Sequence, residues 1–378
     1  MEIYLDNGAT TKPSKPVIRR ITEVLSENWG NPSSLHQKGI QAETALEEAR
    51  EQVAGGLKIS AETVRFSPNG TSAIHGALFG AVRAMRRRGD KILSTAVEHA
   101  AAHNPLQELA KEGYKVEMLS PSLHGQDFAS EFAGKVDEKT ILVNVMMVNN
   151  ETGQIFPVEE IATAVKRANA QTLFHCDAVQ GFMKIPFSLK RSNIDLLSVS
   201  GHKIHGPKGI GGLYVKKGAR IVPTMFGGGQ EGAIFPGTEN VAFACGLGEA
   251  VVQQGPKAEE FLKKMTDLNR YLRQNIQAIN DTFILSPTAQ ASPYILSLGI
   301  KGIRSEILLH FLEARRIYVS SGSACSRGKK SRVLAAYGIP DKLADSAIRV
   351  SMSGDTMREE LDRFCEVLEE AGKSIRRS

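Results

Sequence analysis

The chain has 378 residues, 42% of them hydrophobic and 23% charged, the balance of a folded globular protein long enough for two domains. Its 47 basic and 41 acidic residues leave a net charge of +6, but the charges are interspersed, which argues against direct nucleic-acid binding. The four cysteines, Cys176, Cys245, Cys325 and Cys365, lie far apart with no CxxC pair, which argues against a disulfide framework or a zinc site and fits a reducing cytoplasm.

The start, Met1-Glu2-Ile3-Tyr4, has no basic segment followed by an apolar core, so no secretory signal is expected. No run of about 18 apolar residues exists, so no membrane helix is expected either. From Thr71 to Val215 short apolar runs alternate with helical patterns. A helix is predicted over Ser72–Arg88, and its basic end, Arg83–Gly89, reads as cations complementing the helix dipole before a glycine stop. Strands follow at Lys91–Ser94 and Val116–Leu119, with a helix over Asn104–Lys111 between them. Thr140–Val148 is nearly unbroken apolar sequence, as a strand covered on both faces requires. A helix over Val158–Ala168 and strands at Thr172–Cys176, Leu196–Ser200 and Gly212–Val215 complete an α/β pattern with a mostly parallel sheet. Beyond Gly255-Pro256 an amphipathic stretch, Glu259–Ile279, opens a smaller α+β pattern. Two domains are expected: residues 16–256, and residues 257–378 joined by 1–15. The most flexible-looking stretch is Ser320–Ser331, in the smaller one.

His99, Asn150, Asp177 and Lys203 each come just after a predicted strand, at the rim where parallel sheets bind ligands. Lys203 sits in the glycine-rich turn Ser200-Gly201-His202-Lys203-Ile204-His205-Gly206, and Asp177 ends the run His175-Cys176-Asp177. A lysine and an aspartate leaving neighbouring strands suit pyridoxal 5'-phosphate (PLP). The amine bonds the cofactor aldehyde and the carboxylate holds the pyridine nitrogen protonated.

Further segments carry a resemblance. They are Tyr4–Thr11, Gly30–Ser34, Val97-Glu98-His99, Val148–Gly153, Gly227–Glu231, Pro236–Asn240, Ser320–Cys325 and Ile348–Ser351. With the Asp177 and Lys203 segments, they resemble the NifS/IscS-type cysteine desulfurases of the class V aminotransferase family. The resemblance implies a fold type I PLP enzyme, a large domain with a mostly parallel sheet and a smaller α+β C-terminal domain. It implies that Asn150 and Gln180 hydrogen-bond the ring oxygen and that His99 stacks on the ring and assists proton transfer. Gly70 and Thr71 at a helix start, with Ser200 and His202, would hold the phosphate. Thr238 would reach that phosphate from the second subunit of a homodimer. Arg349 would clasp the substrate carboxylate, with Asn31 beside it. Cys325, in a loop of small residues near Arg327, Lys329 and Lys330, would be the catalytic thiolate.

The chain departs from the family pattern at Ser67–His75, where an acid is missing, at Phe235-Pro236 in place of an arginine, and at Ala100 in place of a lysine. The expected reaction converts L-cysteine to L-alanine and leaves a persulfide on Cys325. A sulfur acceptor, an iron–sulfur scaffold or a tRNA-thiolation enzyme, would take it. Another class V aminotransferase, a selenocysteine lyase and a degenerate sulfur-transfer scaffold stand as alternatives.

Overall fold

The computed structural model describes residues 2–123, 125–321 and 331–375. Its centre is a seven-stranded sheet in the order Val64–Ser67, Gly211–Val215, Leu196–Ser200, Leu173–Asp177, Thr140–Met146, Lys91–Thr95, Lys115–Leu119. Gly211–Val215 alone runs against the others. The predicted strands are all present within a residue or two, and Thr140–Met146 is buried at every position. Val64–Ser67 was not predicted. Its four residues carry Arg65 and too short an alternation to stand out.

One sheet face packs Ile92, Leu142, Leu196 and Leu213 against the helix Gly70–Met85, which carries Ala73, Ala77 and Ala81 on its buried side. Alanines there let the helix backbone lie close to the sheet. Helix Ala100–Lys111 starts a turn earlier than its sequence suggests, because His99 caps it and Pro105 is accommodated inside it. Proline signals a first turn, but here the cap set the start. Helix Gly70–Met85 ends before the basic run is complete, and Gly89 has a different use. A Cβ there would lie 2.1 Å from the carbonyl of Lys139, so the glycine permits a close chain crossing. On the other face Leu93, Val143, Val145, Leu197 and Val199 join a core shared with Lys15–Glu27, Gln37–Leu57, Val158–Ala168 and Val241–Gln254.

A second, antiparallel sheet has the order Ser320–Ser321, Ala347–Ser351, Ile295–Ile300, Thr282–Ile284. The chain start pairs into this part of the molecule: Ile3–Tyr4 lies parallel to Ile317–Tyr318, and Asp6 bridges to Ser351. Helices Ala258–Gln277 and Arg358–Ser374 pack together beside it. Among the described residues no helix is long and apolar enough to cross a membrane.

Candidate active site

Side chains alternate across a strand, so each parallel strand sends every second residue to the face of helix Gly70–Met85. Leu142 and Leu196 lie in that apolar layer, and two residues further on the layer turns polar. Ser94, Asn144, His175 and Ser198, all buried, form a row across four strands. Asn144 Nδ2 donates to Ser94 Oγ at 2.9 Å, His175 Nδ1 donates to Asn144 Oδ1 at 2.6 Å, and Ser198 Oγ donates to His175 Nε2 at 2.8 Å. Burial pushes the His175 imidazole down to about 3, so it stays neutral and serves as a spacer. Two residues beyond His175 and Ser198, at the rim, stand Asp177 and Ser200.

Asp177 is buried, with Oδ1 accepting the Val179 N–H at 2.9 Å. Burial raises its carboxyl to about 6, while the Val179 bond and the nearby Lys203 charge pull it down. Lys203 Nζ donates to the carbonyls of Gly8 at 2.6 Å and Ala9 at 2.9 Å. Gln180 Nε2 donates to the same Gly8 carbonyl at 2.8 Å. Thr11 N–H donates to the carbonyl of His202 at 2.8 Å, and His202 Nδ1 meets Thr10 Oγ1 at 3.3 Å. Residues 6–11 therefore form a belt across the site. Arg349 closes it, donating to Asp6 Oδ1 and to the Asn150 carbonyl, each at 2.8 Å. Gly8 allows this approach, since a Cβ would lie 3.3 Å from Arg349 Cζ and 3.0 Å from Ser351 Oγ. The Arg349 guanidinium is thus already in an ion pair, with Nε buried and without a partner among the described residues.

His99 Nδ1 accepts the Ala101 N–H at 3.1 Å, which leaves the ring proton on Nε2. Burial, then the charges of Lys203, Arg332 and Arg349, push its imidazole down to about 4. His202 is lowered to about 4 by burial and by Lys203, Lys208 and Lys184. Asn150 Oδ1 and Gln180 Oε1 are buried with no partner among the described residues. Asn69 caps helix Gly70–Met85 by accepting the Ser72 N–H at 2.8 Å, and no acceptor among the described residues meets the N–H of Gly70 or Thr71. Gly70 lies against Ser200, whose Cβ would be 3.1 Å from an added methyl.

Thr238 is exposed and lines a cavity of about 410 Å³ together with Thr71 and Ser72. His75, Phe235 and Pro236 line the same cavity, so two of the sequence departures meet at one place. Asn31 is exposed and accepts the Ser33 N–H within its own turn; no described hydrogen bond ties it to Arg349. Cys325 lies outside the described residues. The other three thiols are held protonated: burial raises Cys365 to about 12, Cys245 to about 11 and Cys176 well above its ordinary value.

Three residues here had no assigned role in the sequence. Lys184 is pushed down to about 7 by burial and by Lys203 and Arg349, and it lies 5.7 Å from the Tyr294 ring. Arg332 donates to the carbonyls of Ala96 and Glu98. Glu98, fully buried, accepts from Thr95 Oγ1 at 2.6 Å and from Met146 N–H at 3.0 Å. Its place in Val97-Glu98-His99 was the one available signal.

Burial raises the Glu98 carboxyl to about 8, with the Asp177 charge adding to the rise. A carboxyl raised on folding stabilises most below its ordinary 4.5, and that contribution is lost as pH climbs through about 8. Glu98→Gln keeps an acceptor and never ionises. In urea titrations its stability relative to wild type should grow by about 1.4 kcal/mol per pH unit between about pH 5.5 and about pH 7.5. Parallel curves would show that Glu98 is already ionised at the lower pH.

Residues 3–364 match the family described as aminotransferase class-V. A cysteine desulfurase of Nostoc sp. is 41% identical over 377 residues, covering 99% of this chain and 94% of that protein. A solved NifS-like protein superposes with a TM-score of 0.93 at 35% identity, covering 99% of this chain and all of that one. SspA, solved in complex with cysteine, superposes with a TM-score of 0.81 at 28% identity, over 94% of this chain and all of that one. The large mostly parallel sheet, the lysine and aspartate at its rim and a match along nearly the whole length lead to one conclusion: the chain belongs to the class-V aminotransferase family.

Proposed function

We propose that this protein is a PLP-dependent cysteine desulfurase that converts L-cysteine to L-alanine and carries the sulfur as a persulfide on Cys325. The observation that carries the reading is the convergence of Lys203, Asp177, His99 and Arg349 under the residue 6–11 belt, in a chain 41% identical to a cysteine desulfurase. The residues fit the cofactor: Asn150 Oδ1 and Gln180 Oε1 are buried with no partner among the described residues, which leaves polar atoms for a bound group, and the Gly70 and Thr71 amides meet no acceptor among the described residues. When bound, PLP would supply an electron sink for the substrate α-carbon. Asp177 would accept the pyridine N–H, Gly70, Thr71, Ser200 and His202 would hold the phosphate, and His99 would stack on the ring. Lys203 would hold the cofactor and move the Cα proton, and Arg349 would hold the substrate carboxylate with Asn31 nearby. Cys325 would take the sulfur: the substrate Cβ–S bond breaks, an S–S bond forms, and the thiol's proton ends on the alanine methyl group.

In this reading residues 16–256 bind the cofactor, and 1–15 with 257–378 form the smaller domain. Exposed Trp29, Leu35, Met225 and Phe226 support a homodimer in which Thr238 serves the partner's phosphate. The persulfide would pass to an iron–sulfur scaffold or a tRNA-thiolation enzyme in the cytoplasm. The test is to supply PLP, L-cysteine and a reductant and to measure alanine and sulfide together. Equal amounts of both are expected. A yellow, cofactor-bearing protein that makes no alanine would overturn the reading in favour of transamination.

A further inference from the structure

Arg332 follows Lys329-Lys330-Ser331, and no motif in the sequence marks it. In the fold it is half-buried. Its guanidinium spans two carbonyls, Nη1 donating to Ala96 and Nη2 to Glu98, the residues that lead into His99. The short helix Arg332–Ala336 that it begins is anchored to the neighbouring turn as well. Ser331 Oγ donates to Glu151 Oε2 at 2.6 Å, and Tyr337 Oη donates to Gln154 Oε1 at 2.6 Å. The segment 331–337 thus grips both turns of the rim, the one carrying His99 and the one carrying Asn150.

We propose that Arg332 is a positioning residue for His99: its forked grip on Ala96 and Glu98 fixes the turn that presents the imidazole and sets a cation beside it. A planar guanidinium suits this task because it can hold two acceptors at a fixed angle, which an ammonium cannot. His99 faces cations from three elements: Lys203 from the turn after Leu196–Ser200, Arg349 from the strand Ala347–Ser351, and Arg332 from this helix. The carboxyls in the neighbourhood are Glu98, adjacent in the chain, and Asp177, which interacts with it. His103, one turn further along helix Ala100–Lys111, also feels Arg332. Burial, and then the three positive neighbours, keep His99 a neutral imidazole, with Nδ1 committed to the Ala101 N–H. The effect on rate rests on the reading of His99 given above; the contact itself does not.

The test is a histidine NMR titration of the full chain, with and without PLP, alongside steady-state kinetics. The His99 signal is the one lost in His99→Gln. In Arg332→Gln its midpoint should rise by at least about half a pH unit as a cation leaves, with His103 following and His175 unmoved. The kcat for alanine release should fall by about tenfold, with KM within about twofold. Arg332→Lys should keep the His99 midpoint near wild type and still lower kcat, because charge is kept and the fork is lost. An unmoved His99 midpoint in folded Arg332→Gln would overturn the proposal. If that variant does not fold, Arg332→Lys decides: kinetics equal to wild type would overturn it, and a lowered kcat with an unmoved midpoint would support it. The titration needs no turnover, so a failed alanine assay and a failed contact are told apart.

Discussion

Lys203→Ala should lower alanine release from L-cysteine by at least about 10⁴-fold, the upper end of what a positioned proton-transferring side chain contributes. Lys203 Nζ is held on the Gly8 and Ala9 carbonyls, and its charge is felt at Asp177, His99, His202 and Lys184. Removing it leaves no amine on that belt and takes away the cation that helps keep Asp177 ionised. His99 and His202 should both titrate higher in the variant, because the same cation holds them down. Alanine is measured by chromatography after extended incubation, and the variant's ability to retain PLP through dialysis is measured in parallel. A variant within about tenfold of wild type would place the cofactor lysine elsewhere and remove the basis of the proposed chemistry.

Cys325→Ala should lower sulfide release by at least about 10³-fold, as expected when the proposed sulfur-accepting nucleophile is lost. The other thiols cannot stand in, since burial keeps Cys176, Cys245 and Cys365 protonated at neutral pH. The described flanks of the segment both lie at the site. Ser320 pairs in register with Arg349, and Ser331 is bonded to Glu151 beside Asn150. L-cysteine should still bind, which a spectral change on mixing with the PLP-loaded variant would report. An aminotransferase would release its keto acid without this thiol, so full turnover by Cys325→Ala would decide for that alternative.

The sequence alone determined the parallel sheet and the rim. Strands such as Thr140–Met146 and Leu196–Ser200 are local, mostly apolar runs, and the rule that ligands gather at strand ends then brought His99, Asn150, Asp177 and Lys203 together. Helix starts were less legible: the helix expected over Asn104–Lys111 begins at Ala100, where the His99 cap sets its start. Only the tertiary structure decided what surrounds those residues. The belt that joins Gly8 to Lys203 and Asp6 to Arg349 links positions separated by 195 and 343 residues. Arg332 over the Glu98 carbonyl spans 234. Hydrophobic periodicity reports which face of one element is buried, and a motif reports which groups its chemistry uses. Neither encodes which distant carbonyl a charged side chain meets, because that depends on how the two sheets and the chain start close around one cleft. The raised carboxyl of Glu98 and the neutral imidazole of His99 are likewise products of burial, a property the assembled fold confers and the residue type does not.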